Sequence, residues 1–231
     1  MSYSRVQIVE SSVPWSKAMR AIKKDGIPAL NAQVKAGNLK RWQIIQTGEN
    51  SGLLINEFEN KSQMNKYNKG VSTARQDVDD AVGAQRWTYH GPVKASGYFP
   101  TIFLNSRING DNSMSYKRVT IFSGVEITDE MIEVMKTKYM PIIRTMGCLD
   151  AEIIQTGPDS RIIIATYADK AAADAAKEKA AALGAESREE FKGNAPIIHE
   201  GEVIVTMAQP NNKVGTGGVD GGPTMPSGVV G

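Results

Sequence analysis

Hydrophobic and polar positions follow two different periods along the chain, and together they predict a mixed α+β fold. Residues 118–125 (RVTIFSGV) are mostly β-branched or aromatic, which predicts a strand. Residues 128–147 carry apolar side chains at spacings of one, three and four, which predicts a helix with one buried face. Thr128 is the expected N-cap of this helix. Pro141 lies inside it, where a residue without an N–H is expected to kink the helix.

A β-hairpin, a second helix and a last strand are predicted to follow. Residues 151–155 and 161–167 are apolar runs separated by Thr-Gly-Pro-Asp-Ser, a composition typical of a turn. Asp169 is the expected N-cap of an alanine-rich helix that we expect to end at Gly184. The last strand is predicted at 199–207. The resulting order β-α-β-β-α-β is that of a ferredoxin-like unit.

The chain contains this pattern twice, and the repetition decides the predicted domain organisation. Residues 43–61 and 152–170 are identical at eight of nineteen positions, and both contain Ile-Ile-Gln-Thr-Gly. The opening residues MSYSRV also return in the middle of the chain as MSYKRV. We therefore predict a tandem duplication, with ferredoxin-like units at 1–93 and 114–207.

Two segments lie outside the predicted units. Residues 94–113 connect them and contain the run YFPTIFL, which is apolar enough to pack as an extra strand or strap. Residues 208–231 are rich in glycine and proline and almost without charge, a composition typical of disorder. Because an extended segment can also bind along a neighbouring subunit, self-association through 208–231 is a prediction.

Apolar side chains occur on both faces of the predicted strands, as at Val119 and Ile121 on one face and Phe122 on the other. The sheet face without helices must therefore be covered, and a second copy of the unit covers it most simply. Two such sheets would close on each other as a barrel.

The unit length, the proline in the long first helix and the Gly-Glu-Val-Ile strand at 201–204 resemble the dimeric α+β barrel superfamily. The chain is most similar to its antibiotic-biosynthesis-monooxygenase-like domains, and the resemblance covers 4–93 and 117–207. It implies that two units pair within one chain. The superfamily includes cofactor-free monooxygenases, haem-degrading enzymes, isomerases and proteins without demonstrated activity, so the fold alone does not decide the function.

The resemblance implies a cofactor-independent, monooxygenase-like protein with a small-molecule site in the first half. Cofactor-free oxygenases of this superfamily bind planar, electron-rich substrates, so we expect a small aromatic ligand and no cofactor. The alternative is a non-catalytic assembly protein that oligomerises through its tail and connector. A third possibility is a module that carries a small ligand or haem without turnover.

Five residues are candidates for this site. His90 and His199, the only two histidines, occupy equivalent positions of the two copies and are candidate acid–base residues. A structural role at the start of the last strand is the open alternative. Trp42, Trp87 and Tyr89 have no aromatic counterpart in the second copy and are candidate walls of a substrate pocket. Their alternative role is that of core or interface anchors.

Composition excludes several function classes. A net charge of +2 and the absence of a basic run argue against nucleic acid as a partner. The longest apolar runs are strand-sized, far below the roughly 20 residues that a membrane helix needs. The N-terminal residues do not resemble a secretory signal, and the single cysteine, Cys148, is expected to be a buried small hydrophobe. We therefore predict a cytoplasmic protein without a disulfide or a metal site.

Overall fold

The computed structural model describes residues 1–98 and 115–209, and eight antiparallel strands in these ranges close into a barrel. The order around the barrel is β1-β3-β2-β8-β5-β7-β6-β4. The predicted α+β class and the predicted barrel are confirmed. The strands are β1 (Tyr3–Glu10), β2 (Arg41–Gln46), β3 (Ser51–Phe58), β4 (Gln85–Tyr98), β5 (Tyr116–Ser123), β6 (Asp150–Gln155), β7 (Ser160–Tyr167) and β8 (Ile197–Ala208).

The helices pack on the outside of the barrel, against the sheet face that points away from its interior. In each half the first strand is followed by a long helical run that contains one π-helical segment, Ile22–Gly26 in the first half and Met135–Tyr139 in the second. The helices are α1 (Trp15–Ala21), α2 (Ile27–Lys35), α3 (Lys61–Gly70), α4 (Ser72–Val82), α5 (Asp129–Val134), α6 (Met140–Arg144), α7 (Lys170–Ala175) and α8 (Lys177–Phe191).

Proline explains the position of both π-helical segments. Pro28 and Pro141 lie in the first turn of α2 and α6, directly after each π-helical segment. Because proline has no N–H, the preceding turn loses an α-helical hydrogen bond and the backbone widens there. The irregularity expected at Pro141 therefore takes the form of a widened turn.

Helix ends agree with the sequence at the caps and differ at one glycine. Thr128 and Asp169 each accept a hydrogen bond from the backbone N–H three residues later, at 3.1 and 2.8 Å, as expected of N-caps. The predicted end at Gly184 is wrong, because α8 continues through it. The helix ends at Phe191, and its C-cap Lys192 adopts a left-handed conformation with φ 58°.

The last strand of each half is longer than predicted because it pairs with both halves. Residues 85–92 of β4 pair with β1, and 93–98 pair with β6. Likewise, β8 pairs with β5 along its first part and with β2 along its second. Residues 94–98, predicted as connector, therefore belong to β4. The rest of the predicted connector and the tail from residue 210 lie outside the described residues.

The barrel interior is a packed aliphatic core. Two further apolar clusters lie between the outer sheet face and the helices, one in each half. Apolar side chains thus occupy both sheet faces, as predicted. Within 1–98 and 115–209, no helix is long and apolar enough to cross a membrane. The buried interior residues are Val6, Ile8, Ile45, Leu53, Ile55, Val119, Ile121, Ile154, Ile162, Ile164 and Val203.

Two glycines lie where the strands of the two halves meet. A Cβ at Gly91 would lie 1.6 Å from the carbonyl oxygen of Gln155. A Cβ at Gly201 would lie 1.8 Å from the carbonyl oxygen of Gln46. Since atoms cannot approach this closely, both seams of the barrel require a residue without a side chain.

One end of the barrel interior holds a cluster of charged side chains, to which both halves contribute. Lys117 is 2% exposed, and its Nζ donates a hydrogen bond to Oγ1 of Thr166 at 2.7 Å. The Thr166 hydroxyl in turn donates to Oδ1 of Asp150 at 2.7 Å. Arg41 forms an ion pair with Glu57 at 2.5 Å. These polar groups satisfy one another in a region that is otherwise apolar.

Candidate functional site

A cavity of about 570 Å³ lies in the second half, between the outer face of the sheet and the helices. Its volume is in the range of small-molecule sites, and most of its walls are apolar. The apolar wall includes Met135, Ile143, Met146, Ile163, Ala180 and Leu183. The polar and charged groups of the wall include Arg118, Tyr139, Tyr167, Lys177, Arg188 and Glu200.

The first half has the corresponding space, but there it is nearly closed. A cavity of about 60 Å³ lies between the same strands and helices. Both halves have the strand order β4-β1-β3-β2, which in the second half reads β8-β5-β7-β6. The helices after the hairpin begin at equivalent N-caps, Asn60 and Asp169. Residues of the two halves can therefore be matched from these caps.

Larger side chains close the space in the first half. Matched from the caps, Val71 and Arg75 of the first cavity correspond to Ala180 and Gly184 of the second. Tyr67 is 1% exposed and lines the first cavity, and an alanine stands at its matched position in the second half. The second half thus gains its cavity from small residues on α8.

Trp42 belongs to the closed half as a core residue. Its side chain is 1% exposed, and its indole Nε1 donates a hydrogen bond to Oδ1 of Asn31 at 3.2 Å. Trp87 is instead 42% exposed at one end of the barrel, and Tyr89 is half-buried on the inner sheet face. The structure therefore does not bring these three candidates together around one pocket.

The two histidines lie on opposite faces of the sheet. Directly opposite residues of antiparallel strands share a face, and the register pairs Arg5 with His90 but Val119 with His199. His90 thus lies on the outer face and His199 on the inner face. Counted from the N-caps Asn60 and Asp169, the second half has one residue more than the first before the matching position of its last strand. A one-residue step reverses the face, so Tyr89 is the structural counterpart of His199 and the predicted equivalence is wrong.

Neither histidine lines either of the two cavities described above. His90 is exposed, and burial together with the charges of Arg5 and Lys61 lowers the pKa of its imidazole. Burial also lowers the pKa of His199, whose Nε2 has no hydrogen-bond partner within 1–98 and 115–209. The first-half cavity of about 60 Å³ does not include His90 in its lining. A catalytic role for either histidine stays a prediction.

Arg118 on β5 is the best-buried charged residue of the cavity wall, at 6% exposure. Its Nε donates to Oε2 of Glu200 at 3.0 Å, and its Nη2 donates to the carbonyl oxygen of Ala173 at 3.2 Å. The guanidinium lies 5.6 Å from the ring centre of Tyr167. Nη1 is buried and has no partner among the described residues. The arrangement therefore holds the guanidinium firmly and leaves one donor unused.

A second buried arginine lies behind the cavity wall. Arg161 is 3% exposed, and its guanidinium lies 4.7 Å from the ring centre of Phe122. Its Nη2 lies 3.5 Å from Oγ of Ser187, and both Phe122 and Ser187 line the cavity. Burial lowers the pKa of Arg161 to about 10. The neighbourhood of the cavity is therefore rich in buried positive charge.

Cys148 and the remaining acidic groups do not form a further site. Cys148 is 1% exposed, and burial raises the pKa of its thiol to about 11, so the sulfur is protonated near neutral pH. Within the described ranges, no group of three or more His, Cys, Asp or Glu side chains is placed to hold a metal ion.

Sequence reasoning missed the second-half cavity, although its signal is visible. The helix after Asp169 is unusually rich in alanine, and its small residues at 180 and 184 face the sheet. A helix built from small side chains leaves space against its sheet unless neighbouring residues fill it.

Solved structures share this fold. The chain resembles a candidate monooxygenase from Lactobacillus acidophilus NCFM with a TM-score of 0.58 and 11% identity, covering 89% of this chain and 96% of that one. An anthrone oxidase-like protein matches with a TM-score of 0.60 and 11% identity, covering 90% and 93%. A chlorite dismutase variant from Candidatus Nitrospira defluvii, in complex with cyanide, matches with a TM-score of 0.51 and 9% identity, covering 87% and 90%.

At these identities the likeness concerns the fold alone. The chain matches no protein-family model and no curated protein sequence. The neighbours are monooxygenase-like and chlorite dismutase-like proteins of the α+β barrel type, as the sequence resemblance implies at this coarse level.

Proposed function

We propose that this protein is a monooxygenase-like α+β barrel protein that binds a planar small molecule in the cavity of its second half. The observation that carries the proposal is the cavity of about 570 Å³ between sheet and helices. Its apolar walls suit a flat hydrocarbon body, and its few polar groups suit one oriented edge. The fold neighbours described as a candidate monooxygenase and as anthrone oxidase-like support the reaction class.

We also propose that the barrel arose by tandem duplication of one ferredoxin-like unit. The identical strand order of the halves and their matched N-caps, Asn60 and Asp169, support this origin. So do the glycines at both seams, Gly91 and Gly201. After duplication, one half kept large side chains outside the sheet while the other acquired small ones. One unit would then serve as scaffold and the other as binding site.

The cavity wall contains groups that suit oxidation of an electron-rich ring. Glu200 is a carboxylate in the wall that can accept a proton from a substrate hydroxyl or CH₂ group. Arg118 beside it can stabilise the negative charge that remains on the substrate. No cofactor is needed for this part of the reaction, because the substrate supplies the electrons.

Filling the cavity is expected to weaken ligand binding without unfolding the protein. Ala180 is half-buried in the cavity wall, so a phenyl ring at this position occupies the space of a ligand. We expect Ala180→Phe to weaken binding of the neutral fluorescent probe N-phenyl-1-naphthylamine at least about tenfold. Ala182→Phe, exposed on the same helix and outside the cavity wall, is the matched control. Equal loss in both variants, or in neither, would contradict the proposal.

Activity is tested by oxygen uptake with anthrone, whose CH₂ group becomes a carbonyl. One oxygen atom enters the product, the other leaves as water, and the substrate provides all electrons. We expect uptake by the native protein and by Ala182→Phe, and loss of uptake in Ala180→Phe. Probe binding without uptake of oxygen would support a small-molecule carrier over an oxygenase.

A further inference from the structure

We propose that the ligand of the second-half cavity is an anion, a flat apolar molecule whose carboxylate or phenolate oxygen accepts a hydrogen bond from Nη1 of Arg118. This inference rests on the proposed function and adds the chemical class of the ligand.

The first observation is the unused donor. The guanidinium of Arg118 is held on three sides by Glu200, the carbonyl of Ala173 and the ring of Tyr167. Its Nη1 is buried and has no acceptor among the described residues. Buried donors are almost always paired, because an unpaired one has lost its water without replacement. A ligand oxygen at Nη1 restores that lost hydrogen bond, and an ionised oxygen restores it best.

The second observation is the comparison with the first half, where Arg5 matches Arg118. Arg5 donates from Nη1 to Oδ1 of Asn68 on α3 at 2.8 Å. Matched from the caps, Asn68 corresponds to Lys177, which lines the second-half cavity. The protein itself therefore supplies the acceptor in the closed half. In the open half a cation, Lys177, stands at that position, so the acceptor that Asn68 supplies in the first half is missing there.

The third observation is the charge of the wall. Arg118, Lys177 and Arg188 face the cavity with a single carboxylate, Glu200. Glu200 lies 3.0 Å from Nε of Arg118 and 3.8 Å from Nζ of Lys177, so it is already shared between two cations. Arg188 makes no ion pair within 1–98 and 115–209. The surplus of positive charge favours an anion and disfavours a cation of the same shape.

Two probe molecules of nearly equal shape but different charge test whether the cavity prefers an anion. 2-Naphthoate carries a carboxylate, whereas 2-naphthamide is its neutral counterpart. We expect isothermal titration of the full chain to show at least about tenfold tighter binding of 2-naphthoate. The preference is expected to fall as ionic strength rises.

Variants assign the preference to Arg118. Arg118→Gln is expected to weaken 2-naphthoate binding about 30-fold and to change 2-naphthamide binding less than about twofold. Arg5→Gln removes the matched arginine of the closed half and is expected to leave both affinities unchanged. Lys177→Asn introduces the acceptor that Asn68 supplies in the first half. It is expected to lower 2-naphthoate affinity about tenfold, and because Lys177 is exposed this variant should fold even if Arg118→Gln does not.

The outcomes separate the two proposals. If neither naphthalene ligand binds, the cavity is not a site for flat small molecules, and both proposals are overturned. If both ligands bind equally well, the site stands and the anion inference is overturned. A preference for 2-naphthoate that survives in Arg118→Gln and in Lys177→Asn also overturns it, because the anion then lies elsewhere.

Discussion

Replacing Gly91 or Gly201 by alanine is expected to destabilise the barrel by about 3 kcal/mol in each case. The added Cβ would lie 1.6 Å from the carbonyl oxygen of Gln155 or 1.8 Å from that of Gln46. These contacts are with backbone atoms of the neighbouring strand, so no side chain can rotate away. The strands must separate locally, and hydrogen bonds between the two halves are lost. Urea unfolding followed by circular dichroism measures the change.

Gly184→Ala is the matched control for this prediction. No atom lies within 4 Å of a Cβ at Gly184, which is inside α8. Alanine in a helix interior is favoured over glycine by roughly 1 kcal/mol, so this variant is expected to be slightly more stable. If the seam variants are as stable as the native protein, the two halves do not meet in the register described above.

Glu152→Gln is expected to change how stability depends on pH. Glu152 lies at the charged end of the barrel interior, where burial, and then the charge of Glu57, raise the pKa of its carboxyl from 4.5 to about 7. Between these pH values the folded protein holds a proton that the unfolded chain has released. The stability that Glu152 contributes is therefore fully present below pH 4.5 and is lost as the pH rises through about 7. The loss contributed by this group is at most about 3 kcal/mol.

The charges around Glu152 also favour its protonated form. Glu152 shares its surroundings with two cations, Lys117 and Arg41, and two carboxylates, Asp150 and Glu57. With Glu152 protonated the charges balance, and with Glu152 ionised one negative charge is in excess. Glutamine keeps the shape and the neutral state, so at pH 8 the variant is expected to be more stable than the native protein.

The measurement is the difference in unfolding free energy between variant and native protein from pH 5 to pH 8. Burial lowers the pKa of both His90 and His199, and these groups act in the opposite direction, so the native curve alone does not isolate Glu152. Glu178→Gln, in the first turn of α8 and exposed, is the control and is expected to show no such slope. A difference that stays constant over this range would mean that Glu152 is ionised throughout.

Much of the fold could be predicted because its determinants are local and repeated. The alternating apolar pattern of 118–125 and the caps Thr128 and Asp169 act within a few residues, and the structure agrees with them. The second occurrence of the same pattern implied a second sheet, and apolar groups on both strand faces required that sheets cover each other. A closed barrel follows from these facts without knowledge of any single contact.

The candidate site was harder to predict because the role of each of its residues depends on the atoms that surround it in the folded chain. Sequence comparison showed that all three tryptophans lie in the first half. A large side chain can line a space or fill it, however, and only the surrounding atoms decide which occurs. Trp42 and Tyr67 fill the first half, and the open cavity lies where the second half has alanine and glycine.

By itself, the sequence determined the element types, the twofold repetition and the closure of the barrel, because hydrophobic periodicity acts along the chain. Tertiary structure alone decided which face His90 and His199 occupy, since one residue more before β8 reverses the side of the sheet. It alone decided that Arg118 keeps a donor without an acceptor, whereas Arg5 does not. Such pairings depend on distances between residues far apart in sequence, and no local pattern records them.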